Sequence, residues 1–481
     1  MGGTCNIDAF FKPSGCAVIG ASTNPLKAGH QILRNIKEAG FTGFIAPVSP
    51  SGDSVLGVPG FTSLANIPEE IELAVMAAPA ATTPSVVADI DARMSTKKDI
   101  RALIVAAAGF GEVGTTEGKE YQRQLVACCA RHHIRMLGPN CVGSVDVHAK
   151  LDTTFIADIA HVPGGISLVS QSGAVGAWML MDWRSTAGGG VGFSKFLSVG
   201  NMADLEIIEA LEYLGNDATT RVVGLYIEGS PQARKLVETA GQITRKKPVL
   251  VLKVGRTEEG AAAAASHTGS MAGKDEVYSA AFRQHGILRM HSIDELSDSL
   301  RAFDSFPLPA GPATFVLTQA GGPGIFCVDE MAARGTFTTP LVSGETRGRL
   351  CEILPPFASV CSPEGHADIT AAATAAQHID ALEVLLRDPA VESVMFITTA
   401  TLFLDLTNLA ERMLETVGRL AGEGINKPVF PVILSGRWVK ESRRILEEGG
   451  IPTFDTPNRA VAALSAMITY GAYRRRLEDA T

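Results

Sequence analysis

From residue 16 onward the chain alternates short, wholly apolar runs with longer stretches whose apolar positions recur at helical spacing. CAVIG is followed by a helical pattern from about Lys27 to Ala39 and then by GFIAPV. ELAVMAAPA, a helix starting near Thr83, RALIVAAAGF, a helix from about Thr116 to Arg131 and IRMLGPN continue the series. Apolar runs without polar alternation suit strands covered on both faces, and the intervening helices are the crossovers that parallel strands require. The pattern predicts a doubly wound parallel sheet.

A polar linker ending in Pro163-Gly164-Gly165 leads to a second set, in which GISLVS, VGFSKFLSV, RVVGLYI and KPVLVLKVG read as buried strands. It closes with the helix IDELSDSLRAF, and FPLPAGP at 306–312 breaks every periodicity. ATFVLT, ESVMFITT and KPVFPVIL then predict a third set, ending in a helix from about Asn458 to Tyr473. The expected organisation is three α/β domains, 1–148, 149–306 and 307–481. At 481 residues, three domains also match the length.

The sets echo one another where a strand turns into a helix: VIGAS at 18–22, VSQSGAVG at 169–176 and LTQAGGPG at 317–324. Small residues there allow the amides of a helix N-terminus to approach an anion, and they equally allow tight packing of helix on strand. Both readings stay open at this point. A nicotinamide dinucleotide is disfavoured, because the first turn, Gly20 to Gly29, lacks the G-x-G-x-x-G order and the next strand ends in Pro47-Val48-Ser49-Pro50 rather than in an acid. Lys27 with the helix amides would suit a phosphorylated ligand, or Lys27 is a solvated surface lysine.

Composition narrows the classes further. A net charge of −9 provides no basic stripe for nucleic acid. No apolar stretch approaches the roughly 20 residues of a membrane span, and the N-terminus lacks the order of a signal peptide, so a cytoplasmic protein is expected. The eight cysteines (5, 16, 128, 129, 141, 327, 351 and 361) contain no CxxC pair and read as reduced, mostly buried side chains. The adjacent His132 and His133 have no third ligand nearby in sequence, and no structural metal is expected.

Taken in order, GAS with Lys27, PVSP, AAPA, AAGFGE and LGPNCVG resemble the CoA-binding domain of the ADP-forming acyl-CoA synthetases, the superfamily that includes the succinyl-CoA synthetase α subunit. SLVSQSGAVG, SVGNMADLE, LYIEG and SHTGSMAG extend the resemblance through the second set, and TQAGGPG, LPPFAS and GIPTFDTP through the third. It implies a Rossmann-like CoA-binding domain followed by two flavodoxin-like domains. By the same resemblance CoA is held by Gly20, Ala21, Ser22, Lys27, Pro47, Pro50, Ala78, Pro79, Gly109, Phe110, Pro139 and Asn140. Phosphate is held by Ser170, Gln171, Ser172 and Gly173.

In that superfamily the histidine of SHTG is phosphorylated during turnover, which implies His267, and Glu228 of LYIEG resembles the glutamate that fixes the other ring nitrogen. Imidazole suits this step, since its unperturbed pKa of about 6.5 leaves a neutral nucleophile at cellular pH. The run of small residues from Gly260 to Gly273 is read as a loop that moves between two sites. The helix after SQSG offers backbone donors from Ser172 and Gly173, with the Ser170 and Ser172 hydroxyls beside them.

The sequence contains no G-x-x-x-x-G-K-[ST] loop and no region for an ATP-grasp fold. An ATP-grasp fold is the nucleotide-binding unit that superfamily uses, so the resemblance implies ADP or ATP and Mg2+ on an ATP-grasp β subunit, in an α2β2 assembly acting on a small carboxylic acid. Acetate is the resemblance's default; branched or aryl acids remain open. Phe193, Phe196 and Trp178 are candidates for the acyl pocket or for the core. At 361–368 the sequence CSPEGHAD replaces the family's usual NPVD, with a new His366, and no role is carried over there. Two rival readings are a CoA-binding regulatory protein without turnover and a CoA-dependent acyltransferase.

Overall fold

The computed structural model describes residues 7–268 and 275–479, with the backbone alone at Ala187 and at 264–268. The first layer comprises β1 (Gly15–Ile19), α1 (Ala28–Glu38), β2 (Phe44–Val48), β3 (Leu73–Met76), α2 (Thr83–Thr96), β4 (Ala102–Val105), α3 (Thr116–His132) and β5 (Arg135–Leu137). All five strands run parallel in the order β2-β1-β3-β4-β5. The order reverses at β1/β3, where diverging loops leave a crevice at the carboxyl edge of the sheet.

The second layer comprises β6 (Ser144–Asp146), β7 (Leu151–Asp152), β8 (Pro163–Ser170), α4 (Gly173–Ser185), β9 (Phe193–Ser198), α5 (Ile207–Asn216), β10 (Val222–Ile227), α6 (Ala233–Thr244), β11 (Val249–Lys253), α7 (Glu258–Thr268), α8 (Asp275–His285) and β12 (Leu288–Met290). Its order is β12-β11-β10-β8-β9-β6-β7, with β9, β8, β10 and β11 parallel and β6 antiparallel to both its neighbours. The switch point lies between β8 and β10.

These two sheets form one compact unit, Met1–Arg184 with Gly192–Arg289. One apolar core runs through both, joining Val18, Val75 and Ile104 to Leu197, Val223 and Leu225. The segment after β9 is laid along the end of β5 by backbone bonds from Leu205 N to Met136 O (3.0 Å) and from Ala203 N to Gly138 O (3.1 Å).

The second unit, Ser185–Val191 with Met290–Thr481, is built on the third sheet. It contains α9 (Ile293–Ser305), β13 (Thr314–Thr318), α10 (Gly321–Arg334), α11 (Gly344–Ile353), β14 (Ser359–Val360), β15 (His366–Asp368), α12 (Ala375–Arg387), β16 (Ser393–Thr399), α13 (Leu406–Gly422), β17 (Val429–Leu434), α14 (Lys440–Glu448) and α15 (Pro457–Glu478). The order is β14-β15-β13-β16-β17, parallel except for β14. No described helix is long and apolar enough to cross a membrane.

The expected domain limits fall between β6 and β7 and just after α9, and α9 packs on α15 of the second unit. Two expectations change. The short antiparallel strands β6, β7 and β14 escape a reading based on apolar runs, because two or three residues show no periodicity. The Gly260–Gly273 run is not loop throughout: α7 covers it to Thr268. The Thr257 hydroxyl accepts Gly260 N–H (3.1 Å) at its start, and five consecutive alanines carry the highest helix propensity. Residues 269–274 lie outside the described residues.

The divergent segment at 361–368 is anchored in the interior at Cys361 and His366, both buried, while Ser362 and Pro363 are exposed. Burial holds the His366 pKa below its ordinary value, opposed by the nearby Asp368 carboxylate, so the ring is neutral. Six of the seven described cysteines are buried, and all seven are free thiols.

Arg93 shows how the first layer is tied together. Fully buried on α2, it donates to both carboxylate oxygens of Asp99 (2.9 and 2.6 Å) and to the carbonyls of Leu64 (2.7 Å), Ile67 (3.0 Å) and Glu69 (2.6 Å). Arg93→Met leaves Asp99 uncompensated, so we expect a loss of about 3–5 kcal/mol, read as a lower urea midpoint for the first unit. An unchanged midpoint would remove this network from the account of stability.

Candidate active site

Every residue expected to hold CoA lies at or just beyond the carboxyl edge of the first sheet, distributed over the exits of all five strands. After β1, Gly20 N and Ala21 N both donate to Val48 O at the end of β2 (2.9 and 3.1 Å). Gly20 has φ +87°, and a Cβ there would stand 2.7 Å from Ala78 N, so the turns after β1 and β3 touch backbone to backbone. A side chain would fill the cradle. Gly29, in the first turn of α1, comes closer still, with a Cβ position 2.1 Å from Gly20 O. In the sequence Gly29 is only the last residue of the glycine turn, with no sign of this contact.

The Ser22 carbonyl accepts His30 Nδ1–H (2.9 Å), pinning the first turn of α1 to the glycine turn. Lys27 precedes α1 with its side chain in solvent, and its carbonyl accepts His30 N–H (3.0 Å). Pro47 is in β2 and its carbonyl accepts Phe61 N–H (2.9 Å), whereas Pro50 and Pro79 are exposed. The Phe110 side chain is wholly in the core; only its backbone faces the loop.

Glu112 organises that loop and was missed. One carboxylate oxygen accepts Gly109 N–H (2.6 Å) and Phe110 N–H (3.1 Å), and the other accepts the Asn201 side-chain amide (2.6 Å). Burial raises its pKa, but these bonds from Asn201 and the backbone outweigh it and hold the carboxyl below its usual range. Asn201 N also donates to Pro139 O (2.9 Å), while Asn140 is exposed at φ +56°. Glu112 and Asn201 belong to AAGFGE and SVGNMADLE, so the motifs marked them even though their partnership was invisible. Such a ring of close-set backbone with small residues suits a ligand that carries a pyrophosphate, as CoA does.

At the switch point of the second sheet the turn Ser170-Gln171-Ser172-Gly173 leads into α4. Gln171 is buried and its side chain crosses the sheet edge. Its amide oxygen accepts the backbone N–H of Glu228 and that of Gly229 (3.2 Å), and its amide nitrogen donates to Gly229 O (2.8 Å). Glu228, immediately after β10, is buried. It sits beside Tyr226, whose hydroxyl is pushed up to about 12 by burial and by the Glu228 charge.

The two serine hydroxyls are engaged within the turn: Ser170 Oγ donates to Ser172 O (2.6 Å), and Ser172 Oγ accepts Val175 N–H (3.3 Å). At Gly173 a Cβ would stand 2.5 Å from the Val142 side chain. His267 lies in the last turn of α7, and its side chain is outside the described residues. Phe193 and Phe196 are core residues, while Trp178 on α4 is half exposed.

Family models match along the chain in order: a CoA binding domain at 15–146, a succinyl-CoA ligase like flavodoxin domain at 163–303 and a ligase-CoA domain at 314–477. The architecture is thus that of a CoA ligase of the succinyl-CoA ligase-like class. The α subunit of acetate–CoA ligase (ADP-forming) II from Pyrococcus furiosus is 37% identical over 464 residues, covering 96% of this chain and 97% of that one. Acetate–CoA ligase (ADP-forming) I of Archaeoglobus fulgidus is 36% identical across 96% of this chain, which spans 64% of that longer relative. The acetyl-coenzyme A synthetase 1 of Ca. Korarchaeum cryptofilum, solved with phosphate and ADP, superposes with a TM-score of 0.87 at 31% identity, covering 98% of both chains. The chain belongs to the family of ADP-forming acetate–CoA ligase α subunits.

Proposed function

We propose that this chain is the CoA-binding, phosphohistidine-forming subunit of an ADP-forming acyl-CoA synthetase, interconverting acyl-CoA, phosphate and ADP with carboxylic acid, CoA and ATP. The observation that carries the reading is the Gln171 junction. It ties the Ser-Gln-Ser-Gly turn to the backbone of Glu228 at the switch point of the second sheet, in the same compact unit as the glycine crevice of the first.

The first-sheet turns hold CoA, with Gly20, Ala21 and Ser22 providing close backbone approach and Lys27 countering phosphate charge. A phosphate oxygen attacks the thioester carbonyl and the CoA thiol leaves with a proton, giving acyl phosphate. The neutral His267 imidazole then attacks phosphorus and the carboxylate departs. Glu228 accepts a hydrogen bond from the other ring nitrogen and stabilises the charge that develops on it. The amides at the start of α4 stabilise the equatorial oxygens of the transferring group. A terminal oxygen of ADP takes the phosphoryl group and restores the imidazole.

Nucleotide and Mg2+ bind on an ATP-grasp β subunit, two of each subunit assembling as α2β2. The length of the Archaeoglobus relative beyond the part matched by this chain leaves room for such a region in one polypeptide. The test is ATP formation from acetyl-CoA, phosphate and ADP. The chain alone is expected to bind CoA and form no ATP, with ATP appearing once the partner is added. ATP formation by the chain alone would overturn the division of labour.

A further inference from the structure

α2 and α3 pack side by side against the first sheet, and three groups with metal-binding lone pairs meet between them. Cys128 and His132 are one helical turn apart on α3, which puts them on one face. Asp91 reaches them from α2: its Oδ1 lies 2.6 Å from His132 Nε2 and 3.8 Å from Cys128 Sγ. All three ligand atoms lie within 4.8 Å of one another. Around a tetrahedral ion with bonds of about 2.0–2.3 Å, ligand atoms stand roughly 3.3–3.8 Å apart. The Asp91–Cys128 pair already stands at the upper end of that range, and the Asp91–His132 contact would open from hydrogen-bond length.

We propose that Asp91, Cys128 and His132 form a site for a divalent transition metal of zinc type, with the fourth position left to solvent. A thiolate, an imidazole and a carboxylate suit an ion of intermediate softness and disfavour Mg2+ or Ca2+, which take all-oxygen shells. Arg131 now occupies the carboxylate, its Nη1 lying 2.7 Å from both Asp91 oxygens. Its side chain is 54% exposed, so it can withdraw into solvent when the ion enters and the Cys128 thiol gives up its proton. His133 takes no part, because at φ +57° it ends the helix. Cys128 and His132 lie in the last turns of α3, which returns from the carboxyl edge of the sheet to its amino edge. A bound ion would pin α2 to α3 away from the CoA crevice. The sequence alone hid the site because Asp91 is 41 residues from His132.

The test titrates the purified full chain with Co2+, following thiolate-to-cobalt absorption in the near ultraviolet and the visible bands of tetrahedral cobalt, with Zn2+ as competitor. One equivalent is expected to saturate both signals and Zn2+ to bleach them. Cys128→Ser should abolish the thiolate band, and His132→Gln should weaken binding by more than the roughly 10–100-fold cost of losing an outer partner. Arg131→Ala keeps all three ligands and removes the competing guanidinium, so binding should tighten several-fold, a direction that misfolding would not produce. No thiolate band in the unaltered protein, or a band that survives Cys128→Ser and so belongs to another thiol such as the exposed Cys351, would overturn the assignment.

Discussion

Replacing His267 by alanine is expected to abolish ATP formation from acetyl-CoA, phosphate and ADP in the presence of the partner subunit, a fall of at least about a thousandfold. A methyl group offers no lone pair to phosphorus, and without the covalent stop the phosphoryl group would have to pass directly from acyl phosphate to ADP. CoA affinity should not change, because the residues proposed to bind it lie at the edge of the first sheet and His267 is on α7, between β11 and β12 of the second. The assay is coupled ATP production, with CoA binding measured in parallel. Retained turnover in His267→Ala would remove the relay from the mechanism, whereas joint loss of turnover and CoA binding would point to a disturbed fold.

The second large effect is expected at Gly29. A Cβ there would press on the Gly20 carbonyl, with Gly20 O at 2.1 Å and Gly20 C at 2.8 Å. Both contacts are backbone, so the turn itself must shift. Gly29→Val should weaken CoA binding by about a hundredfold or more, the scale of a misplacement of about 1 Å, and cost about 1–3 kcal/mol of stability. Phosphorylation of His267 from ATP through the partner should survive, since the Gln171 turn is built on the second sheet. This separation of half-reactions is the informative outcome. Loss of both half-reactions at full stability would mean that the two crevices do not act independently.

Much of the fold was legible because parallel strands, buried on both faces, are nearly continuous apolar runs; CAVIG, ALIV and VVGLYI needed no knowledge of their neighbours. The echo between VSQSGAVG and LTQAGGPG also had a physical basis. Ser170 Oγ donates to Ser172 O, and Thr318 Oγ1 donates in the same way to Ala320 O (2.7 Å). Gln171 N donates to Tyr226 O across one switch point, and Gln319 N donates to Ile397 O (2.9 Å) across the other. Gln319 Oε1 accepts Thr399 N–H (3.1 Å) as Gln171 Oε1 accepts Glu228 N–H. One clamp has been used twice, and glutamine is the residue that both copies require.

What stayed hidden depends on contacts between distant residues. Glu112 and Asn201 are 89 positions apart, and neither carries a local sign of the other. Gln171 was placed at the phosphate turn for its position, while its side chain instead holds the Glu228 backbone. Local competition misled as well: the small residues before His267 suggested freedom, yet alanine favours helix as strongly as glycine opposes it, and α7 results. His366, noted only as a departure, occupies an inner strand, with Nε2 3.0 Å from where a Gly324 Cβ would stand.

The most direct test of the central claim is to incubate the chain and its β partner with acetyl-CoA and phosphate, without ADP, and map acid-labile, alkali-stable phosphate by mass spectrometry. The account predicts a phosphoryl group on His267 that is discharged when ADP is added. ATP formation with no phosphate on His267 would contradict the relay. Tight CoA binding with neither phosphorylation nor turnover, across a panel of acyl-CoA substrates, would instead mark the chain as a CoA-binding regulatory protein.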